Sequence, residues 1–292
     1  MHQPVLVEKI IEIFNPQPNQ NYIDATFGLG GHSIAILSKT GPRGKVLAIE
    51  WDPEILDLAK KIIMKKYPHF IKRIIFKNEN YRKIKKIVKE ENFYKFYGVI
   101  FDLGVSSWHL EKSKRGFSYL KNEPLDMRFN PKIKTTAAEI LNSLNKTSLE
   151  KFLKIFEEKD AKKISNLIER KRKKEKIKTT KDLVEILRFK KTNKKHPARI
   201  LFQALRMLVN NEVENIYYGL RDTIEISPIG TKIIILTYQG IENKIVKKII
   251  KEFKSKIKLI EKTKPTKEEI KRNPRSRSAN LIALQKINDK EN

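Results

Sequence analysis

A glycine-rich turn and an acidic residue in the first fifty positions have the spacing of a nucleoside-binding site. An apolar run at residues 22–27 breaks into Gly28-Leu29-Gly30-Gly31, and a second run at 45–49 ends at Glu50, 20 residues beyond Gly30. Glycines let the backbone approach a ligand closely. A carboxylate after the second strand can accept hydrogen bonds from two ribose hydroxyls. The pattern predicts a strand–turn–helix–strand unit that binds a nucleoside.

Two further residues follow predicted strands. Asp102 ends the apolar run at 98–102 and precedes a permissive loop that contains Gly104, Ser106 and Ser107. Ligand-binding carboxylates of open α/β sheets lie at the carboxyl ends of strands. We therefore predict that Asp102 faces the reacting end of the ligand, the alternative being a helix cap. Tyr81 follows a third predicted strand at 73–76. Its ring could stack on adenine or equally well belong to the core.

The glycine spacing separates two classes of ligand. Dinucleotide sites carry Gly-x-Gly-x-x-Gly, and Ser33 occupies the place of the third glycine. This favours S-adenosylmethionine over a nicotinamide cofactor, although an NAD-dependent reductase stays open as the alternative. With five histidines, no His-x-x-x-His pair and no cysteine, the chain is not expected to hold a metal.

Strand and helix patterns alternate through the first hundred residues, which predicts a doubly wound parallel α/β sheet. This alternation stops after residue 112 and resumes at residue 196. The later patterns predict a long apolar helix from 196 to 224, a strand at 230–238, a helix at 243–253 and a strand at 278–287. The intervening residues show only helical patterns, among them one long basic helix at 150–172. We predict an α/β domain split into 1–112 and 196–292, with a basic, all-helical domain inserted at 113–195.

Composition points to a polyanionic partner. The formal net charge is +29, and residues 151–195 hold 18 Lys/Arg against 7 Asp/Glu. Such an excess is typical of RNA or DNA binding, with compositional bias as the alternative.

No apolar run reaches the length of a membrane span, and the first residues lack a signal-peptide pattern, so we expect a cytoplasmic protein. The absence of cysteine excludes thiolate catalysis.

Several sequence blocks together resemble a known family. They are Asp24-Ala-Thr-Phe-Gly-Leu-Gly-Gly-His-Ser33, Asp102-Leu-Gly-Val-Ser-Ser107, Arg115-Gly-Phe-Ser118, Pro124-Leu-Asp-Met-Arg-Phe129, His196-Pro-Ala-Arg-Ile-Leu-Phe-Gln-Ala-Leu-Arg206, Asn210-Asn-Glu212 and Asn273-Pro-Arg-Ser-Arg-Ser-Ala279. In this order they resemble the bacterial ribosomal RNA (cytosine-N4)-methyltransferases of the small subunit. The resemblance implies a Rossmann-like fold with S-adenosylmethionine as cofactor. It also implies a cytidine in the decoding region of 16S rRNA, within the small ribosomal subunit, as the substrate.

The resemblance implies seven donor-binding residues: Gly30, Gly31, His32, Glu50, Tyr81, Asp102 and His109. Glu50 stands where the family commonly has Asp, and His109 replaces a usual Gln. Leu236-Thr-Tyr-Gln-Gly240 replaces the family's usual Ser-Phe-His-Ser-Leu-Glu-Asp stretch.

The predicted chemistry is methyl transfer to the exocyclic N4 of cytosine, a poor nucleophile. Asp102 is the predicted catalytic acceptor of the amino proton, with help from Ser106 or Ser107, or else it only orients the donor. The target base must leave its stack to reach the donor, and Arg115, Phe117, Arg128 and Phe129 are candidates to help hold the RNA or to form a structural hinge. The non-enzymatic alternative is a ribosome-assembly factor that keeps the fold with little or no activity.

Overall fold

A computed structural model describes residues 4–187 and 196–289. The chain divides into two compact units, one formed by residues 1–104 and 213–292 and the other by residues 105–212. The unit boundaries therefore differ from the predicted ones at 112/113 and 195/196. Two blocks that the sequence analysis assigned to the split domain, at 105–112 and 196–212, pack with the helical unit.

The described helices are named in chain order. They are α1 Val7–Phe14, α2 Gly31–Leu37, α3 Pro53–Lys66, α4 Ile84–Glu90, α5 Ser107–Glu111, α6 Ala137–Ser143, α7 Lys146–Ile155, α8 Ala161–Lys174, α9 Thr180–Ile186, α10 Arg199–Val209, α11 Glu212–Ile226, α12 Gly240–Glu252 and α13 Lys267–Arg272.

The first unit contains a sheet with seven described strands. They are β1 Tyr22–Asp24, β2 Val46–Glu50, β3 Ile74–Asn78, β4 Gly98–Asp102, β5 Lys232–Thr237, β6 Ile257–Thr263 and β7 Asn280–Lys286. The strand order is β3-β2-β1-β4-β5-β7-β6. All neighbouring pairs from β3 to β5 are parallel, whereas β7 is antiparallel to both β5 and β6. The predicted Rossmann-like α/β class is confirmed.

Both faces of this sheet are buried, because side chains alternate between two apolar layers. Along β2, Val46 and Ala48 join a cluster with α1, α2 and α3, while Leu47 and Ile49 join a cluster with α4, α11 and α12. Parallel sheets covered by helices on both faces have such continuous apolar strands.

The strand order reverses at β1, which lies between β2 and β4. Chain connections leave β1 and β4 towards opposite sides at this point, which opens a crevice beyond their carboxyl ends. Backbone pairing aligns Asp24 with Ala48 of β2 and with Ile100 of β4. The glycine turn, Glu50 and Asp102 therefore follow strands that end at one edge of the sheet.

The second unit, within its described residues, is helical, with one isolated bridge between Pro124 and Thr179. Its basic segment is two helices, α7 and α8, and the prediction of one helix over 150–172 is wrong. Glu157 adopts a left-handed conformation with φ 59° between them, which breaks the helical path. The predicted continuous helix from 196 to 224 is likewise two helices, separated at Asn211 with φ 49°.

The packing of the second unit depends on a few buried polar anchors. Arg206 forms a bidentate ion pair with Glu212, with distances of 2.7 and 2.9 Å. The Asn210 side chain accepts from the Phe129 N–H at 2.7 Å and donates to the Met127 carbonyl at 2.7 Å. These bonds tie residues 127–129 to the end of α10 and give a structural role to the Asn-Asn-Glu block.

Of the described residues, none belongs to a helix long and apolar enough to cross a membrane. Over the same ranges, 4–187 and 196–289, no group of three or more His, Asp or Glu side chains could hold a metal ion.

Candidate active site

The turn after β1 shows why glycines occupy it. Gly28 and Gly30 have φ values of 54° and 82°, in the left-handed region that other residues rarely adopt. A Cβ on Gly30 would lie 2.8 Å from the Phe27 ring, whereas a Cβ on Gly28 would meet only the Thr26 carbonyl oxygen at 3.9 Å. Gly30 is therefore required by packing, and the backbone at Gly28 is accessible to a ligand.

Glu50 is held by backbone groups on both sides of its carboxylate. One oxygen accepts from the Gly28 N–H and the other from the Asp52 N–H, both at 2.8 Å. Asp52 itself caps α3 by accepting from the Glu54 N–H. Burial raises the pKa of Glu50 to about 7, against the hydrogen bonds from Asp52 and Gly28, which lower it. The acid is thus fixed beside the glycine turn, as a ribose-binding carboxylate must be.

Asp24 connects the end of β1 to α2. Its side chain is buried and accepts from the Ser33 hydroxyl at 2.7 Å and from the Thr26 N–H at 3.3 Å. Burial raises the pKa of Asp24. The Thr26 hydroxyl in turn accepts from the Asp102 N–H at 2.6 Å, which joins the ends of β1 and β4. Asp24 and Thr26 both lie in the block Asp24–Ser33, but no sequence pattern predicted a role for either residue.

Asp102 lies between two side chains from distant parts of the first unit. The Tyr238 hydroxyl donates to Asp102 Oδ1 at 2.6 Å. On the other side, His32 Nε2 lies 3.6 Å from Asp102 Oδ2, beyond hydrogen-bond range. Burial, followed by the charge of Asp102, raises the pKa of Tyr238 well above 10, so Tyr238 remains a donor. The Asp102 side chain is 30 % exposed and accessible to a reactant.

His32 is buried at the start of α2. Its ring nitrogens make no hydrogen bond with any residue in the described ranges 4–187 and 196–289. A buried polar group without a partner is costly, and such groups are concentrated where a ligand binds. The open backbone at Gly28, the fixed Glu50 carboxylate and this histidine together fit a polar nucleoside-containing donor such as S-adenosylmethionine.

Tyr81 packs into the core of the first unit. Its ring meets Phe101 edge-on with 5.6 Å between centroids, and a Cβ on Gly219 of α11 would lie 2.6 Å from the same ring. Gly219 therefore makes room for Tyr81. The contact supports the core alternative, and adenine stacking by Tyr81 stays a prediction.

His109 belongs to the second unit, and the other six predicted donor residues belong to the first. The Ser106 hydroxyl caps α5 by accepting from the His109 N–H at 3.3 Å, and it lies 2.9 Å from His109 Nδ1. The ring packs against both Phe117 and Phe129, with 4.8 Å between centroids in each case. His109 and Ser106 thus have structural contacts within the helical unit.

The four residues predicted to help hold the RNA also make their contacts inside this unit. Phe117 and Phe129 stack on each other at 5.3 Å with 13° between their planes. Arg128 forms a bidentate pair with Asp126, and Arg115 donates to the carbonyls of Arg128 and Phe129. These contacts favour the structural alternative for all four residues.

A model of the MraW methylase family matches residues 1–287. The chain belongs to the MraW methylase family. Its relatives include the ribosomal RNA small subunit methyltransferase H of Dictyoglomus thermophilum, 38 % identical over 96 % of this chain and 95 % of the relative. The protein of the same name from Wigglesworthia glossinidia brevipalpis is 38 % identical over 98 % of this chain and 99 % of its own length.

The crystal structure of an rRNA methylase from Clostridium thermocellum aligns with 99 % of both chains at a TM-score of 0.51 and 11 % identity. At that identity the likeness concerns the fold alone. The family match confirms the predicted resemblance, and the protein is an S-adenosylmethionine-dependent methyltransferase. The nicotinamide alternative is excluded by this assignment.

Proposed function

We propose that this MraW-family methylase transfers a methyl group to N4 of a cytidine in the decoding region of 16S rRNA, acting on the small ribosomal subunit in the cytoplasm. Relatives that share more than a third of its residues are named small-subunit rRNA methyltransferases. The single observation that carries the chemistry is Asp102 at the strand-order reversal, with one oxygen bonded to Tyr238 and the side chain partly exposed. The choice of N4 follows the family resemblance and the absence of cysteine.

The donor would be held by residues of the first unit. Glu50 would accept from the ribose hydroxyls, the backbone at Gly30 and Gly31 would line the turn, and His32 would meet a polar group of the donor. Asp102 would face the reacting end, and Tyr81 would contribute one face or edge of its ring near adenine. His109 stays in the proposed set only through the family resemblance, because its buried ring lies in the second unit.

When bound, S-adenosylmethionine supplies a methyl group from its sulfonium, whose S–C electron pair stays on sulfur as the N–C bond forms. Asp102 Oδ2 accepts the proton that N4 loses, which keeps electron density on the attacking nitrogen. A positioned general base of this kind contributes about 10²–10⁴-fold to a rate. The rest of the acceleration comes from holding the amine in line with the methyl group.

RNA binding would depend on exposed cations in both units. On α8, Ala161, Ile164 and Ile168 are buried while Lys162, Lys163, Arg170, Lys173 and Lys174 are exposed. In the first unit, Arg275 and Arg277 are exposed on either side of the buried Ser276. Thr237 at the end of β5 pairs with Asn280 at the start of β7. Since β5 is parallel to β4, the start of β7 and the two arginines before it lie at the sheet edge where β4 ends at Asp102. Phosphate contacts from both segments fit an extended RNA substrate.

The decisive experiment is a nucleoside analysis of small subunits that lack the modification. After incubation with the protein and S-adenosylmethionine, we expect N4-methylcytidine in the digest, with a rate about 10²–10⁴-fold lower for Asp102→Ala. Asp57→Ala is the matched control, since Asp57 is an exposed aspartate of α3 with a side chain 69 % accessible. Donor binding without any methylated nucleoside from wild type would favour the assembly-factor alternative.

The RNA surface has its own test in the salt dependence of affinity. The slope of log K against log salt should be about −0.7 per single-stranded phosphate contact. Replacing Lys162, Lys163, Lys173 and Lys174 by alanine should flatten this slope. Replacing the half-buried Lys60 and the exposed Lys86 of the first unit, which pair with Asp57 and Glu90, should leave the slope unchanged. A salt-independent affinity would contradict the proposed role of α8.

A further inference from the structure

Tyr238 occupies the junction between β5 and α12, in the stretch where the sequence departs from the family pattern. Its backbone N–H and that of Gln239 donate to the same oxygen of the buried Glu242, at 2.7 and 3.1 Å. The Tyr238 ring is half-buried and packs against the apolar cluster that includes Leu236 of β5 and Leu281 of β7. The backbone and the ring are therefore both fixed, which directs the hydroxyl to one place.

That place is Asp102 Oδ1, at 2.6 Å. The two oxygens of this carboxylate consequently differ. Oδ1 accepts a hydrogen bond from a phenol, whereas Oδ2 faces His32 Nε2 at 3.6 Å, outside hydrogen-bond range. A carboxylate with one oxygen held by a fixed donor cannot rotate freely, so its second oxygen keeps a defined direction.

We propose that Tyr238 is a positioning residue, whose hydroxyl holds Asp102 so that Oδ2 accepts the amino proton of the substrate. The proposal rests on the proposed function of Asp102 as proton acceptor. Tyr238 exchanges no proton with the substrate in this account. The Tyr238 hydroxyl fixes one oxygen of Asp102 and thereby orients the other. Its removal should lower the rate of methyl transfer and leave the affinity for donor and subunit unchanged.

The test compares Tyr238→Phe with wild type in the full-length protein, using unmodified small subunits and S-adenosylmethionine under single-turnover conditions. A hydrogen bond to a charged group contributes about 1.5–3 kcal/mol, which corresponds to a rate about 10- to 150-fold lower. The dissociation constant of the donor and the KM for the subunit should stay within about twofold, because the ring and its packing are retained.

Tyr217→Phe is the matched control. The Tyr217 hydroxyl donates to Glu252 Oε1 at 2.7 Å at the surface of the same unit, so this variant also loses a phenol–carboxylate bond. Its rate should equal that of wild type. In an Asp102→Asn background, Tyr238→Phe should lower the residual rate by less than about twofold, because the two residues act as one unit.

The outcomes separate the two proposals. An active wild type with an unchanged Tyr238→Phe rate would overturn the positioning role alone. A lower rate accompanied by an equal loss of donor affinity would also overturn it, because Tyr238 would then act on donor binding. A wild type that binds the donor and methylates no cytidine would instead refute the proposed function, and the positioning role with it.

Discussion

Two acidic residues at the same edge of the sheet are held in different ways. Glu50, after β2, is fixed by backbone N–H groups of Gly28 and Asp52. Asp102, after β4, is fixed by the Tyr238 hydroxyl and lies near His32. Backbone contacts suit a residue that only has to bind, because they keep the carboxylate rigid. Side-chain contacts leave Asp102 with one oxygen available for proton transfer. The difference suggests that the site has a donor-binding half around Glu50 and a methyl-transfer half around Asp102.

The largest effect on the donor-binding half should come from Glu50→Ala. Loss of two hydrogen bonds to a carboxylate should weaken donor binding by about 100-fold or more. The single-turnover rate at saturating donor should change by less than about threefold, because Asp102 is untouched. Calorimetric titration measures the first quantity and a quenched methylation assay the second. A variant that binds the donor normally would remove Glu50 from the donor site.

Gly30→Ala tests the geometry of the turn through stability. The left-handed φ of 82° and the Phe27 ring 2.8 Å from an added Cβ should lower the free energy of unfolding by about 2–3 kcal/mol. Gly230 has φ 90° and nothing within 4 Å of an added Cβ.

Gly230→Ala is therefore the matched control, which should cost only about 1 kcal/mol of backbone strain. Denaturant unfolding of both variants gives the comparison. Equal losses would mean that the contact with Phe27 does not constrain the turn.

Glu50 should also make donor binding depend on pH. Its pKa of about 7 means that the carboxylate forms as pH rises through neutrality. Donor affinity should therefore increase about tenfold between about pH 6 and about pH 8, as the accepting form becomes fully populated. In Glu50→Gln the pH dependence of donor affinity should flatten. This control distinguishes ionisation of Glu50 from ionisation of the donor itself. An unchanged profile in that variant would assign the dependence to another group.

The same pKa has an opposite consequence for the protein without donor. The folded pKa lies above the ordinary value of 4.5, so the folded state binds the proton more tightly than the unfolded state. The contribution of Glu50 to stability is therefore present below about pH 4.5 and declines as pH rises through about 7. Thermal unfolding of wild type and Glu50→Gln across this window measures it.

The two halves also differ in how far the sequence predicts them. The glycine turn and Glu50 lie close together along the chain, and a local pattern was enough to identify them. The partners of Asp102 are distant: Tyr238 lies 136 positions away. No periodicity or spacing brings them together, and the departure from the family pattern at 236–240 was the only signal at that position.

Prediction of the fold from the sequence also succeeds only where the apolar pattern is informative. The central strands β1, β2, β4 and β5 are mostly buried and have apolar runs that the sequence reveals. The edge strand β6 is mostly exposed, with three charged residues among its seven, and was not predicted. The helix breaks at Glu157 and Asn211 depend on left-handed residues. Apolar periodicity continues across both positions, so it predicted single helices there.

In the proposed mechanism Asp102 serves methyl transfer and Glu50 serves donor binding. The most direct measurement is the donor dissociation constant and the single-turnover methylation rate of Asp102→Asn, taken side by side with Glu50→Ala. We predict a rate lower by about 100-fold or more for Asp102→Asn, with a dissociation constant within about threefold of wild type. A large loss of donor affinity with an unchanged rate at saturation would contradict the account, because both acids would then bind the donor.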